Sequence, residues 1–332
     1  MKVLVLFDLA HPADPNQAFS PEALQQEDKP TEADVVESLA RLGHQVETLA
    51  VYDNVPAVVE KLQCCAPEIV FNLSESFYHD RAQEPHIPAL LELMKVRYTG
   101  SGCDALLLCK DKALAKKVLS YHHVRVPHFV VSHRAHPLRR LRRFAYPAFV
   151  KPVCEDASDG ISRASFAKDE KEAIERARFI HQKFNCDALI EEYIEGRELY
   201  LSVLGNARLT VFPPREIFFD QVPEDVPKFA TFHAKWNDSY RTKWGITNGP
   251  AKPLPERLPE QLGELARKVY RVLKIRGFGR IDVRVTAQNE VYVIEANPNP
   301  CLAHDEDFAQ SAAASGLEYD ALIQEILQNS AA

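Results

Sequence analysis

The sequence predicts an α/β amino-terminal third followed by α+β structure. Three observations carry this. Short apolar runs alternate with helical stretches up to about residue 101, the rhythm of βαβ units and a parallel sheet. From about Gly102 that alternation is lost. Near the carboxy end two apolar runs flank a polar turn between Gly277 and Asn297, the pattern of a hairpin. The expected division is 1–101, 102–195 and 196–332.

Taken in order, Lys2–Phe7 reads as a buried first strand, and a polar, proline-bearing loop runs to about Pro30. Thr31 with Asp34 three residues on resembles a capping box and opens a helix ending near Gly43. Gln45–Val51 and Glu68–Leu73 read as strands with a helix between them. Pro85–Met94 reads as a helix and Arg97–Thr99 as a short strand. One helix is expected from Gly102 to about Tyr121, with Asp111 and Lys112 in its middle. Strands follow at His128–Val131, Ala148–Lys151 and Ala188–Tyr193. The helix Lys171–Phe184 sets Ala173, Ala177, Ile180 and Phe184 on one face. Beyond a polar stretch, Asp220–Pro250, come the helix Pro259–Leu273, the hairpin and a last helix, Tyr319–Leu327.

Composition excludes some functions. The 332 residues carry a formal charge of −7, no footprint for nucleic acid or an anionic membrane. No apolar run is long enough to cross a bilayer, and Asp8 comes too early for a signal peptide. The seven cysteines are odd in number and include no C-x-x-C pair, so reduced thiols in a cytoplasm are expected. No G-x-G-x-x-G follows the first strand, which weakens a dinucleotide reading.

The strongest chemical signal is the hairpin. If Ala287–Glu290 form its turn, paired residue numbers sum to 577, so Asp282 opposes Glu295 and Arg280 opposes Asn297. Opposed carboxylates repel, and a divalent cation would relieve them. With the Asn297 amide they make an oxygen donor set suited to Mg²⁺ or Mn²⁺. The plainer alternative, equally open on the residues alone, is that both acids are solvated or paired with Arg280 and Arg284. Val150-Lys151-Pro152 ends an apolar strand before a loop of small residues through Ser158 and Gly160, where backbone N–H groups can approach an anion. Lys112 and Lys235 read, on spacing alone, as solvated lysines. Glu191–Glu198 reads as strand, tight turn and strand, ordinary for a hairpin with exposed acids.

In this order, Tyr98–Gly102 with Asp111-Lys112, Val150–Pro152, Glu191–Glu198, Arg280–Asp282, Glu295–Asn297 and Ala312–Ile323 resemble the ATP-grasp superfamily. The match is to its D-alanine–D-alanine ligase-like branch, from about Glu68 to Leu327. The resemblance implies an ATP-grasp fold, with an amino-terminal βαβ domain and two α+β domains clamping ATP. It implies an ATP-dependent ligase joining a carboxylate to an amine through an acyl-phosphate. By position, Lys112 and Lys151 would hold ATP phosphates. Glu191 and the backbone at Glu192, Tyr193 and Ile194 would meet adenine, and Glu198 the ribose. Lys235 would meet the γ-phosphate. Asp282, Glu295 and Asn297 would bind two Mg²⁺ ions (or Mn²⁺). Arg280, with Lys235 and Ser158, would serve catalysis. Small-molecule substrates and a homodimer are the expected partners.

The acceptor side departs from the branch. After Asn297 the chain reads Pro298-Asn299-Pro300-Cys301, with cysteine where the branch has glycine. Glu306 falls where a serine grips the acceptor carboxylate. Ala157-Ser158 replaces paired serines, and Trp236 a tyrosine. Asn72, Glu75, Asn299 and Glu306 are the expected substrate contacts. Three acids, Asp305–Asp307, argue against a D-alanine acceptor unless they form a solvated helix start. Cys301 lacks a base and reads as a packing residue. Two other functions compete: an ATP-grasp kinase that makes no amide, and a nucleotide-binding protein without turnover. The complete acid–acid–amide set speaks against the last.

Overall fold

The computed structural model describes residues 1–155, 160–223, 226–231, 234 and 237–330. Ala157, Ser158, Lys235 and Trp236 lie outside the described residues. The first strand, β1 (Lys2–Asp8), is buried on both faces. It is central in a parallel sheet ordered β2-β1-β3, with β2 (Gln45–Val51) and β3 (Ile69–Asn72). Continuous apolar runs are what a strand covered on both faces requires. Val3, Val5 and Phe7 join one core, while Leu4 and Leu6 join another across the sheet. Tyr98 adds only an isolated parallel bridge to Val70, not a strand.

Three helices differ from expectation. The proline-bearing loop contains a short helix, α1 (Pro21–Gln26), capped by Ser20. The next, α2 (Pro30–Arg41), begins at Pro30, whose fixed φ suits the first helical position. Its cap residue is Lys29, and the expected capping box is absent. Thr31 instead contacts the Cys301 sulfur at 3.3 Å, and the Asp34 carboxylate accepts from the His304 N–H at 2.8 Å. Both side chains tie α2 to the carboxy-terminal loop. After α3 (Val55–Cys65) and α4 (His86–Leu93), the long helix is two, α5 (Cys103–Lys110) and α6 (Lys112–Tyr121). Asp111 breaks it with ψ 91° and caps α6 by accepting from the Leu114 N–H at 2.8 Å. Lys112 therefore starts a helix rather than lying mid-face.

A second, antiparallel sheet runs β4-β7-β5-β6, from β4 (Phe129–Ser132), β5 (Ala148–Pro152), β6 (Phe166–Ala167) and β7 (Ala188–Glu192). The helix α7 (Glu170–Phe184) covers it through Ala173, Ala177 and Ile180. The third sheet is built on β8 (Arg197–Gly205), with β9 (Leu209–Val211) and β10 (Arg215–Phe219). After α8 (Asp238–Trp244), β11 (Ile246–Pro250) extends its edge. The helix α9 (Leu258–Val272) packs beneath it, and the hairpin β12 (Phe278–Val285) and β13 (Val291–Pro298) completes it. Two helices end the chain, α10 (Asp307–Ala313) and α11 (Tyr319–Gln328). Leu322, Ile323 and Ile326 of α11 join the core of Val3, Val5 and Phe7. Among the described residues no helix is long and apolar enough to cross a membrane.

The start of α10 is not simply solvated. Asp307 is 4% exposed, with Arg215 Nε at 2.8 Å and Asn248 Nδ2 at 2.6 Å from its oxygens. Removing one partner of a buried pair strands the other charge. Arg215→Met is expected to lower the unfolding free energy by about 3 kcal/mol, read by urea denaturation. An unchanged midpoint would mean that Asn248 alone satisfies Asp307.

Candidate active site

The hairpin sets the geometry. Asp282 pairs with Glu295, and Arg280 with Asn297. They meet by a route unlike the expected one. The loop has three residues, because Val285 pairs with Val291 and the Thr286 N–H donates to the Glu290 carbonyl. Asn289 takes the left-handed turn position, φ 63°. This loop alone would place Glu295 opposite Ile281, toward the core. A register shift between Asp282 and Val283 makes Ile294 an extra residue in β13 and returns Glu295 to the face of Asp282. The buried Lys116 ammonium donates to the Ile294 carbonyl at 2.9 Å.

Around this pair the charges are engaged. Arg280 grips Asp282 through Nε at 2.8 Å and Nη2 at 3.1 Å, and lies over the Tyr200 ring at 4.8 Å. Burial opposes the Arg280 charge, but Asp282 outweighs it and holds the guanidinium above its ordinary pKa. The Asn297 Nδ2 donates to Asp282 at 3.2 Å. The amide oxygen, the atom a hard cation would take, is therefore not the atom that meets Asp282. The Lys112 ammonium lies 3.9 Å from Glu295 and donates to the Glu155 carbonyl at 2.6 Å.

Two cavities meet at the hairpin. The first, about 690 Å³ of empty space, is lined by Lys112, Lys151, Glu155, Glu191–Ile194, Glu198, Asp282 and Glu295, with Phe149, Phe229 and Ile294 as apolar walls. The second, about 1730 Å³, takes in Arg280, Asn297, Asn299 and Glu306. Glu295 lines both.

In the first cavity Glu191 is 3% exposed and sits between Lys151, 2.8 Å away, and Lys116, at 3.0 Å. Burial opposes the Glu191 charge, and the two ammonium groups outweigh it, lowering its pKa. Burial pushes Lys116 down to about 8, with Glu191 opposing. Glu198 accepts from Arg284 at 2.6 Å and from the Tyr200 hydroxyl at 3.2 Å. Tyr193 packs edge-on against Phe166 and Phe229, and its hydroxyl donates to the Lys228 carbonyl.

In the second cavity Glu75, Glu84, Asp238, Glu295, Asp305, Glu306 and Asp307 outnumber Arg81, Lys110, Arg241 and Arg280. Glu84 pairs with Lys110 at 3.0 Å and Glu75 with Arg81 at 3.3 Å. Asp305 and Glu306 have no ion-pair partner among the described residues. Of the three acids expected there, Asp307 is neutralised. Asn72 lines neither cavity: it is 3% exposed and accepts from the Ser74 hydroxyl at 2.7 Å. Its neighbour Glu75 does reach the cavity. Asn299, with φ 55°, accepts from the Ser101 N–H at 2.6 Å. Cys301 is raised to about 11 by burial, against the Thr31 contact. Sequence reasoning missed Lys116, Phe149, Tyr200, Phe229 and Asn248. Arg284 was visible as a strand neighbour of Asp282 at period two, but its pairing with Glu198 was not.

Comparison with known proteins adds lineage. A family model, D-ala D-ala ligase C-terminus, matches residues 111–328. The D-alanine–D-alanine ligase of Carboxydothermus hydrogenoformans is 31% identical over 73% of this chain and 75% of its own. A vancomycin C-type resistance protein of Enterococcus casseliflavus is 29% identical over 81% of this chain and 73% of its own. The structure of a D-alanine–D-alanine ligase from Bacillus anthracis complexed with ATP superposes with TM-score 0.74 at 18% identity, covering 98% of this chain and 96% of that one.

Proposed function

The chain belongs to the D-alanine–D-alanine ligase family of ATP-grasp enzymes, and from that premise we propose an ATP-dependent carboxylate–amine ligase with an acceptor other than D-alanine. One observation carries the reading: Glu295, opposite Asp282, lines both cavities. Phosphoryl transfer needs a nucleotide and its target to meet at a cluster that spreads the developing charge. The first cavity is then the ATP site and the second the site of carboxylate and amine. The division 1–101, 102–195 and 196–332 is part of the same reading.

Lys112 and Lys151 hold phosphates in this reading, with Glu191 holding Lys151 in line as well as facing the base. Apolar Phe149, Phe229 and Ile294 suit a purine between them. Glu198, fixed by Arg284, offers a carboxylate to ribose hydroxyls. Asp282, Glu295 and the Asn297 oxygen fit Mg²⁺, since all three are hard oxygen donors. Mg²⁺ bound there would spread charge over phosphate oxygens. Arg280 faces the second cavity beside them, placed to stabilise the transferring phosphoryl group and then the tetrahedral oxyanion. The carboxylate gains a good leaving group as an acyl-phosphate, and the amine displaces it.

The deciding experiment is a screen of carboxylates and amines for Mg²⁺-dependent ADP release with amide formation. AMP as product, or ADP with a phosphorylated end product, would reject it. Lys151→Ala is expected to raise the ATP KM on the order of tenfold or more, the worth of a charge-assisted hydrogen bond. Cys301→Ser should change kcat less than about twofold, because a thiol with a raised pKa is mostly not a thiolate. Inactivation of a folded Cys301→Ser would revive a thiol mechanism.

A further inference from the structure

All seven cysteines are free, and two of them extend a strand pairing next to Glu155, which lines the first cavity. Strands β5 and β7 pair with Pro152 opposite Ala188, and the Val153 N–H donates to the Asp187 carbonyl at 3.0 Å. The next pair in that register is Cys154 and Cys186. It flanks a hydrogen-bonded position and is thus of the non-hydrogen-bonded kind. There opposed Cα atoms approach to about 4.5 Å, inside the roughly 4.4–6.8 Å that a disulfide spans. The Cys186 thiol donates to the Asp187 carbonyl at 3.4 Å, within the same stretch of paired backbone.

We propose that Cys154 and Cys186 form a reversible cross-strand disulfide that weakens nucleotide binding. Cys154 is exposed and Cys186 half-buried, so the first can meet a small oxidant. The neighbouring Cys186 thiol lowers the Cys154 pKa against burial, which makes Cys154 the better thiolate. The oxidant class is a low-molecular-weight disulfide. The Cys154 thiolate attacks one of its sulfurs, forming a mixed disulfide and expelling one thiolate. Cys186 gives up its proton and attacks the Cys154 sulfur, expelling the second thiolate. One dithiol and one small disulfide become one protein disulfide and two small thiols.

The consequence for the nucleotide follows from Lys112, and it rests on the first cavity being the ATP site. The carbonyl before Cys154, that of Val153, accepts from the Lys112 backbone N–H at 3.3 Å, and the carbonyl after it, that of Glu155, accepts from the Lys112 ammonium. Tying Cys154 to Cys186 constrains both anchors of a phosphate-facing lysine, so that it cannot follow the phosphates as the reduced site can. Misplacement of a binding group by about an ångström costs tenfold or more.

The test treats the full-length protein with oxidised glutathione, removes the reagent, and counts thiols after denaturation. ATP binding is then titrated on the same samples. Expected are the loss of two of seven thiols, a Cys154–Cys186 cross-linked peptide, and ATP affinity reduced about tenfold. Dithiothreitol should restore affinity, and Cys154→Ser and Cys186→Ser should both be insensitive. Seven remaining thiols, or a different pair, would overturn the site. A formed bond with unaltered affinity would overturn the regulation. Failure of the reduced protein to bind ATP at all would instead reject the nucleotide reading, without touching the disulfide.

Discussion

Glu295→Ala is expected to cut ATP turnover roughly 10³-fold, the scale on which removing one charge-stabilising group acts. The protein should stay folded. Glu295 opposes Asp282 across the hairpin, and the Lys112 ammonium stands 3.9 Å from it, a long contact. Losing that contact is offset by losing a like charge directly across the strand. Lys112 keeps the Glu155 carbonyl. The strand pairing of β13 depends on backbone and on Val293 and Ala296, which remain buried. Glu295→Gln separates charge from shape, since it keeps an oxygen donor and should retain more activity than the alanine variant. Coupled ADP release gives the rate and a thermal melt gives the fold. Normal turnover in Glu295→Ala would remove the metal site from the hairpin, and equal loss in both variants with a collapsed melt would make Glu295 structural.

The pairing behind that expectation was legible in the sequence, but for a partly wrong reason. A four-residue turn without a bulge and a three-residue loop with a bulge at Ile294 give the same partner for Asp282. Only the second also puts Val293 on the core face. The bulge depends on Lys116 satisfying its carbonyl from 178 residues away in sequence, and no local pattern announces that. Long sequence separation likewise hid Glu191 between its lysines and Asp307 with Arg215. Local rules failed where two signals competed. Thr31 and Asp34 fit a capping box, but Pro30 one residue earlier already starts the helix. Asp111 reads as a mid-helix acid until its capping preference is allowed to break the helix. β1 was legible because burial on both faces leaves an unbroken apolar run. β10 and β11 were not, because the Gly249-Pro250 end of β11 and its half-exposed residues show no alternation.

Glu306 should decide which amine the enzyme accepts. It stands at the N-cap of α10 without a side-chain capping bond, and it lines the second cavity. Asp307 is held by Arg215 and Asn248, so the local negative charge falls on Glu306 and Asp305. An acceptor carboxylate about 4 Å from Glu306 would meet repulsion of order 1–4 kcal/mol, roughly tenfold to a thousandfold in kcat/KM. D-alanine should therefore be a poor acceptor in the wild type, D-alaninamide better, and a cationic amine better still. Glu306→Ser removes the charge and supplies a hydroxyl that can donate to a carboxylate. Serine is also a favoured N-cap, so this variant should be at least as stable as the wild type, and a change in specificity cannot be ascribed to a damaged fold. The measurement is the kcat/KM ratio of D-alanine to D-alaninamide and to a cationic amine in both proteins. The ratio should move toward D-alanine by at least about tenfold in Glu306→Ser. A wild type that uses D-alanine as well as its amide, or a ratio that Glu306→Ser leaves in place, would show that Glu306 does not face the acceptor. The Glu75–Arg81 pair would then be the next group to test, since its arginine could receive a carboxylate on the opposite wall of the same cavity.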